Sequence, residues 1–94
     1  MHIEHSQNAH GGRFQAAADG QELGHLDYVR LSDTLVDANH TWVSEAARGR
    51  GVADALLQAL AAFAAEQQLS IRPSCSYVAK KLPRSHPELL EQRP

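Results

Sequence analysis

The stretch Arg48-Gly49-Arg50-Gly51-Val52-Ala53 lies where an apolar strand pattern gives way to an Ala- and Leu-rich helical pattern. Two glycines allow a tight turn and a close approach of the backbone to a ligand. The first N–H groups of the following helix have no intrahelical partner and point back toward that turn. Glycines before a helix N-terminus form an anion site, to which the two arginines add positive charge. The stretch therefore predicts a strand–loop–helix unit that binds phosphate.

The residues before this loop predict a meander of antiparallel strands. Leu35 to Val43 carries the strongest strand pattern, whose period of two predicts one shared face for Val36, Ala38, His40 and Trp42. Weaker strand patterns precede it, at His2 to His5, Phe14 to Ala18 and Glu22 to Leu31. Turns are predicted between the strands, at Ser6 to Gly12, Asp19-Gly20 and Ser32 to Thr34. A slip in the apolar phase of the third pattern indicates a β-bulge.

After the loop the apolar period becomes helical. A helix is predicted from about Gly51 to about Gln68, with an apolar stripe of Val52, Leu56, Leu60 and Phe63. A short strand follows at Leu69 to Arg72, and Pro73 ends it. The last predicted elements are a short helix at Ser74 to Leu82, capped by Ser74, and a turn or helix at His86 to Gln92.

This order predicts one α+β domain over residues 1–94, an α/β layer in which a helix covers a mixed, mostly antiparallel sheet. The strand–helix–strand crossover that follows the loop is expected to be right-handed and to make its two strands parallel.

The charge of the chain is unevenly distributed. Its formal net charge is −2 over 94 residues, which does not suggest nucleic-acid binding. Residues 1–45 hold two arginines against seven Asp or Glu, a net −5, whereas residues 46–94 hold seven Lys or Arg against four, a net +3. A basic half around a phosphate-type loop suits a small anionic ligand.

The rest of the composition limits the cellular compartment and the classes of partner that we expect. The single cysteine excludes an internal disulfide, and no apolar run approaches the ~20 residues of a membrane helix. His2, His5 and His10 lack a cysteine or acidic partner at firm spacing, so no metal site is expected. We expect a cytoplasmic protein, monomeric or weakly homodimeric, without nucleic-acid or membrane partners.

The loop and its surroundings resemble the GNAT superfamily of acetyl-CoA-dependent N-acetyltransferases. Arg48 to Ala53 matches that family's pattern of Gln or Arg, two residues, Gly, any residue, Gly or Ala. The chain is most similar to a short, single-domain branch, which carries a His-Thr before the loop and Pro-x-Cys-x-Tyr after the last strand. These motifs are His40-Thr41-Trp42-Val43 and Pro73-Ser74-Cys75-Ser76-Tyr77 here. The resemblance extends from about residue 14 to about residue 83.

The resemblance implies that acetyl-CoA is the cofactor and that an acyl group is transferred to an amine. The N–H groups around Arg50, Gly51, Val52 and Ala53 would cradle the pyrophosphate, and Gly49 would give the turn its freedom. Arg48 and Arg50 could reach phosphate oxygens or be solvated. The backbone of Thr41, Trp42 and Val43 would hold the acyl carbonyl and the pantetheine amides, although Trp42 and Val43 could also be core residues.

Three side chains are candidates for catalysis. Cys75 could take the acetyl group as a nucleophile, contact or protonate the CoA sulfur, or be a small buried residue. Tyr77 could protonate the leaving thiolate or be structural. His40 is the candidate general base because its ordinary pKa is near neutrality. Alternatively, a water molecule is the base, or His40 is a half-buried structural residue.

The chain departs from typical members in its length. No helical pattern precedes the strong strand, whereas the resemblance implies early helices that wall the acceptor site. The acceptor side should therefore be open, which suits a large acceptor such as a protein amine, closure by a partner subunit, or poor turnover. The alternative function is a CoA- or acyl-CoA-binding interaction module with little or no catalysis. A small α+β protein without a cofactor is the third possibility.

Overall fold

One sheet and two helices follow the predicted order. The computed structural model describes residues 1–92, so the predicted domain of 1–94 ends in two residues outside the described part. The strands are β1 (His2–Asn8), β2 (Gly11–Ala18), β3 (Gln21–Ser32), β4 (Leu35–Val43) and β5 (Ser70–Pro73). The helices are α1 (Val52–Gln67) and α2 (Ser76–Ser85), and 3-10 turns lie at Glu45–Ala47 and Pro87–Leu89.

The sheet is mixed, as the sequence predicts. Its strand order is β1-β2-β3-β4-β5. Neighbours from β1 to β4 are antiparallel, and β5 is parallel to β4 from Leu35 opposite Ser70 to Ala38 opposite Pro73. The α1 crossover thus joins two adjacent parallel strands, and the α+β fold class is confirmed.

Helix α1 buries one face of this sheet and forms the core with it. Leu56, Leu57 and Leu60 of α1 are fully buried against Leu26 of β3 and Val36 of β4. Such a one-sided layer leaves the second face of an antiparallel sheet free for polar residues. We call the face opposite α1 the outer face.

Two of the three predicted turns have different outcomes. Asp19 and Gly20 both have positive φ, +54° and +77°, which is the backbone of a tight two-residue hairpin. The predicted turn at Ser6 to Gly12 is wrong in extent, since β1 runs to Asn8 and β2 starts at Gly11. The Asn8 carboxamide oxygen accepts the N–H of His10 at 2.8 Å and of Gly11 at 3.2 Å, so two residues suffice to reverse the chain.

The second helix begins later than its pattern predicts. Cys75, not Ser74, is at the N-cap position, and no side chain caps the helix. The Cys75 N–H donates to the Ala38 carbonyl at 2.8 Å, which extends the link between the β5 segment and β4 past Pro73 and delays the helix. Helix α2 then continues to Ser85, three residues beyond the predicted end at Leu82.

A β-bulge overturns the predicted face of the strongest strand. Asp27 pairs with His40 and Tyr28 with Ala38, so Asn39 is an extra residue in β4. An unpaired residue shifts the alternation of side chains by one. Val36 and Ala38 are buried under α1, but His40 and Trp42 are exposed on the outer face.

His5 attaches the edge strand β1 to the core. Its ring stacks on Phe14 with 4.0 Å between centroids and meets the Phe63 edge at 4.5 Å. Its Nε2 is hydrogen bonded to the Tyr28 hydroxyl at 2.7 Å. Burial in this aromatic cluster lowers the pKa of His5 below its ordinary value and raises the pKa of Tyr28.

We expect the folded state to lose stability in mild acid through His5. Because the folded-state pKa of His5 is depressed, the unfolded chain takes up this proton first as the pH falls. The contribution of the His5 ring to the free energy of unfolding is fully present above its unfolded-state pKa of about 6.5. It is lost as the pH falls through the lower folded-state pKa. Urea unfolding between pH 7.5 and pH 5 measures it. His5→Phe should flatten this dependence, and an unchanged pH slope in that variant would contradict the assignment.

Candidate functional site

The loop before α1 has the backbone that its glycines predict. Gly49 and Gly51 have φ of +81° and +78°, and an added Cβ at either would meet no atom within 4 Å. The left-handed conformation, and not a lack of space, therefore requires glycine at both positions. Gly51 is the N-cap of α1, so the turn ends where the helix begins.

The first turn of α1 presents free backbone donors toward this loop. The first helical hydrogen bond runs from the Ala55 N–H to the Gly51 carbonyl at 3.0 Å. The N–H groups of Val52, Ala53 and Asp54 precede it and have no carbonyl within the helix. Together with the partial positive charge of a helix N-terminus, these donors suit an anion such as a pyrophosphate.

A cavity of about 190 Å3 lies on this loop, and we call it the cradle. Its lining comes from the end of β4, the loop, the start of α1 and the start of α2: Val43, Ala47, Arg48, Gly49, Gly51, Val52, Ala53, Asp54 and Tyr77. Thus five of the six predicted loop residues, with Val43 and Tyr77, line one space. Thr41, Trp42 and Arg50 lie outside this lining.

Four groups set the electrostatics of the cradle: Tyr77, Asp54, Arg48 and the N-terminus of α1. Burial raises the pKa of the Tyr77 phenol, and the Asp54 carboxylate adds to that rise, so the phenol keeps its proton at neutral pH. Asp54 opposes an anionic ligand, whereas Arg48 and the helix N-terminus attract one.

Cys75 lies beside β4. Its Sγ donates to the Thr41 hydroxyl oxygen at 3.3 Å, and the side chain is partly buried against the core. Because the bulge turns Thr41 away from the outer face, this thiol and His40 are on opposite sides of β4. The three predicted catalytic residues are therefore divided: Cys75 and Tyr77 lie near the α1 side, and His40 lies on the outer face.

Strands β4 and β5 part next to these residues. Their pairing ends at Ala38 and Pro73, while β4 continues to Val43. In the described part of the chain, no strand pairs with the β5-facing edge of β4 from Asn39 onward. A ligand in the cradle can extend along this open edge and reach both faces of the sheet.

The sequence interpretation missed Gly24. An added Cβ there would lie 2.6 Å from the Trp42 carbonyl oxygen and 3.2 Å from both Val43 Cα and Val52 Cγ1. Gly24 thus allows β3, β4 and the first turn of α1 to meet at the cradle. A glycine inside a strand pattern often marks such a close approach, which is the signal that could have found it.

Two classes of site are absent from residues 1–92. No group of three or more His, Cys, Asp or Glu side chains is placed to hold a metal ion. Neither helix combines the length and the apolar character needed to cross a membrane.

Comparisons with known proteins identify the family and the fold. The family model described as GCN5-related N-acetyl-transferase matches residues 13–92. Protein NATD1 of Danio rerio is 37% identical over 68 residues, which is 71% of this chain and 62% of that protein. The chain therefore spans less than two thirds of the length of this curated relative.

Solved structures share the fold. A GCN5-like protein from Staphylococcus aureus, solved by NMR, matches with a TM-score of 0.71 and 26% identity, over 97% of this chain and 90% of that one. An aminoglycoside N-acetyltransferase in complex with CoA matches with a TM-score of 0.61 and 22% identity, over 92% of this chain and 71% of that one.

Replacing Gly24 tests how tightly the cradle is built. We expect Gly24→Ala to lower the free energy of unfolding by about 1–3 kcal/mol, because the added methyl group meets backbone that cannot move freely. Thermal and urea unfolding measure this loss. An Ala variant as stable as the wild type would show that β3, β4 and α1 do not depend on this close approach.

Proposed function

Because the chain belongs to the family of GCN5-related N-acetyl-transferases, we propose that it transfers an acetyl group from acetyl-CoA to an amine. One observation carries the proposal: Tyr77 and the glycine loop, 24 residues or more apart in sequence, line one cavity at a helix N-terminus. A phosphate-binding turn alone would not need a phenol beside it.

The cradle fits the phosphate end of a CoA donor. The N–H groups of Val52, Ala53 and Asp54 and the side chain of Arg48 would hold the pyrophosphate. Ala53 is small enough to let the ligand approach the helix. The open edge of β4 would pair with the pantetheine amides through the backbone of Thr41, Trp42 and Val43, as an added strand pairs with a sheet edge.

Tyr77 is the proposed acid on the donor side. When the amine nitrogen attacks the thioester carbonyl, the carbon–sulfur bond breaks and the sulfur leaves as a thiolate. A phenol that burial keeps protonated can give its proton to that thiolate. Backbone N–H groups at the β4 edge would stabilise the oxyanion that forms first.

Cys75 is proposed to contact the CoA sulfur from its position beside Thr41 of β4. Its thiol already donates to Thr41, which fixes its direction. On the acceptor side, His40 is the base candidate from the sequence, and its ring lies on the outer face of β4. An open outer face suits an acceptor as large as a protein.

Adding a negative charge to the cradle should abolish donor binding. We expect Gly51→Glu to weaken acetyl-CoA binding by well over tenfold, a loss of more than about 1.4 kcal/mol, because a carboxylate would stand where the pyrophosphate binds. Calorimetric titration with acetyl-CoA and CoA measures the affinity.

The chain offers a matched control for this variant. Gly20 has the same backbone, with φ of +77° and open space around it, but it lies in the β2–β3 hairpin. Gly20→Glu should therefore carry a similar backbone strain, about 1–3 kcal/mol, with unchanged affinity. Equal losses in both variants, or none in Gly51→Glu, would contradict the placement of the donor.

Removing the Tyr77 hydroxyl should slow turnover without changing donor affinity. We expect Tyr77→Phe to lower kcat about 100-fold, the range of a lost general acid, with little change in KM for acetyl-CoA. Steady-state kinetics with an amine that the wild type acetylates, chosen from a peptide and polyamine panel, measures both. Tyr28→Phe removes a core hydroxyl and is the control. If donor binding is intact but no amine is acetylated, the chain acts as a CoA-binding module.

A further inference from the structure

The outer face carries a side-chain cluster that the proposed donor chemistry does not use. His25, His40 and Trp42 lie on neighbouring strands, with the His25 ring centroid 5.3 Å from Trp42 and 5.7 Å from His40. His25 pairs with Trp42 in the sheet register, and His40 pairs with Asp27. The bulge at Asn39 brings these rings to one face.

His25 is the most firmly held member of the cluster. Its Nδ1 is 2.8 Å from a Glu22 carboxylate oxygen, and the Gln15 amide donates to the other oxygen of the same carboxylate. The hydrogen bond from His25, with support from Gln15, lowers the pKa of Glu22, so this carboxylate is ionised and only accepts. His25 therefore donates through Nδ1, which leaves Nε2 as the nitrogen that can accept a proton.

This arrangement differs from that of an ordinary surface histidine. The His25 side chain is only 15% exposed, whereas its neighbour Trp42 is 39% exposed. A half-buried imidazole with an oriented carboxylate partner is the arrangement that general bases use. Trp42 offers beside it an aromatic surface that attracts a cation.

The charge and shape of the outer face indicate what it binds. Glu4 and Glu22 belong to it, and Asp27 is paired with Arg13 at 2.6 Å, so those two charges offset each other. A groove of about 520 Å3 runs from the β1–β2 hairpin to Arg13 and Asp27, the row next to His25. An acidic face with a groove suits an extended chain that carries an ammonium group.

The outer face and the cradle meet at the open edge of β4. Beyond Ala38, the Thr41 side chain lies on the α1 side of β4, and those of His40 and Trp42 lie on its outer face. A thioester held along this edge is therefore within reach of an amine that lies on the outer face.

From this juxtaposition we propose that the outer face binds the lysine side chain of a polypeptide acceptor, and that His25 is a further catalytic residue that takes the amine proton. The inference rests on the proposed acetyl transfer. The ammonium gives one proton to His25 Nε2, and the freed amine adds to the thioester carbonyl, which forms the carbon–nitrogen bond and an oxyanion. Collapse of this intermediate breaks the carbon–sulfur bond, the leaving thiolate takes the Tyr77 proton to become CoA, and the second nitrogen proton restores the Tyr77 phenol. Glu22 and Gln15 are positioning residues.

Chemical rescue tests the role of His25. With saturating acetyl-CoA and a terminally blocked peptide that carries one lysine, we expect His25→Ala to lower kcat at least about 100-fold. Free imidazole should restore part of that rate, because it can enter the space left by the ring. Glu22→Gln should lower kcat by about tenfold and leave KM for acetyl-CoA unchanged. His25→Gln, which keeps a hydrogen bond to Glu22, should fold normally but remain slow.

Binding of the acceptor has its own readout. Trp42 is the single tryptophan, so its fluorescence should change on titration with the lysine peptide and not with the same peptide acetylated on its lysine. His2→Ala, an exposed histidine of β1, is the control and should behave as the wild type.

Each contrary outcome is informative. Imidazole rescue of His40→Ala but not of His25→Ala, full activity in His25→Ala, or no turnover of the lysine peptide would overturn this inference. Provided that acetyl-CoA still binds, those outcomes would leave the proposed function intact. Failure of the wild type to bind acetyl-CoA would instead overturn the proposed function itself.

Discussion

The extra residue at Asn39 is the constraint on which the arrangement of this protein depends. Before it, β4 pairs with both neighbours and buries Val36 and Ala38 under α1. After it, β4 no longer pairs with β5, and the alternation of its side chains between the two faces is shifted by one residue. A single inserted residue thus divides β4 into a first part that packs in the core and a second part that lies at the proposed ligand site. The cradle, the Cys75–Thr41 contact and the outer-face rings all lie at or beyond this position.

The proposed donor and acceptor sites are separated by this construction. The α1 side offers backbone N–H groups, glycine turns and a protonated phenol, all suited to an anionic donor. The outer face offers carboxylates and imidazoles, suited to a cation. The two meet only along a strand edge, where reacting atoms could approach from opposite faces without the two charged ligands sharing one pocket. In a domain of this size, two faces that meet at a strand edge take the place of one deep cleft.

The parts of the fold that local chemistry determines could be predicted from the sequence. The Asp19-Gly20 turn, the bounds of β4, the α1 crossover and the glycine loop follow from backbone freedom and apolar period. The face of His40 could not be predicted, because a bulge shifts the register without a residue that marks it. His25 and Glu22 were also missed: three residues apart on a strand, they meet only because Leu23 is an extra residue opposite Ala16 and Ala17.

The one-sided core has a consequence for how this protein can change. Nearly all buried apolar side chains described lie between α1, α2 and one face of the sheet. Substitutions on the outer face therefore cost little folding free energy, since they remove no packed core atom. With the proposed acceptor site on this face, acceptor preference could drift there while the proposed donor site and the hydrophobic layer stay fixed. A small domain with a bare sheet face is thus a scaffold on which new substrate specificities can arise through neutral steps.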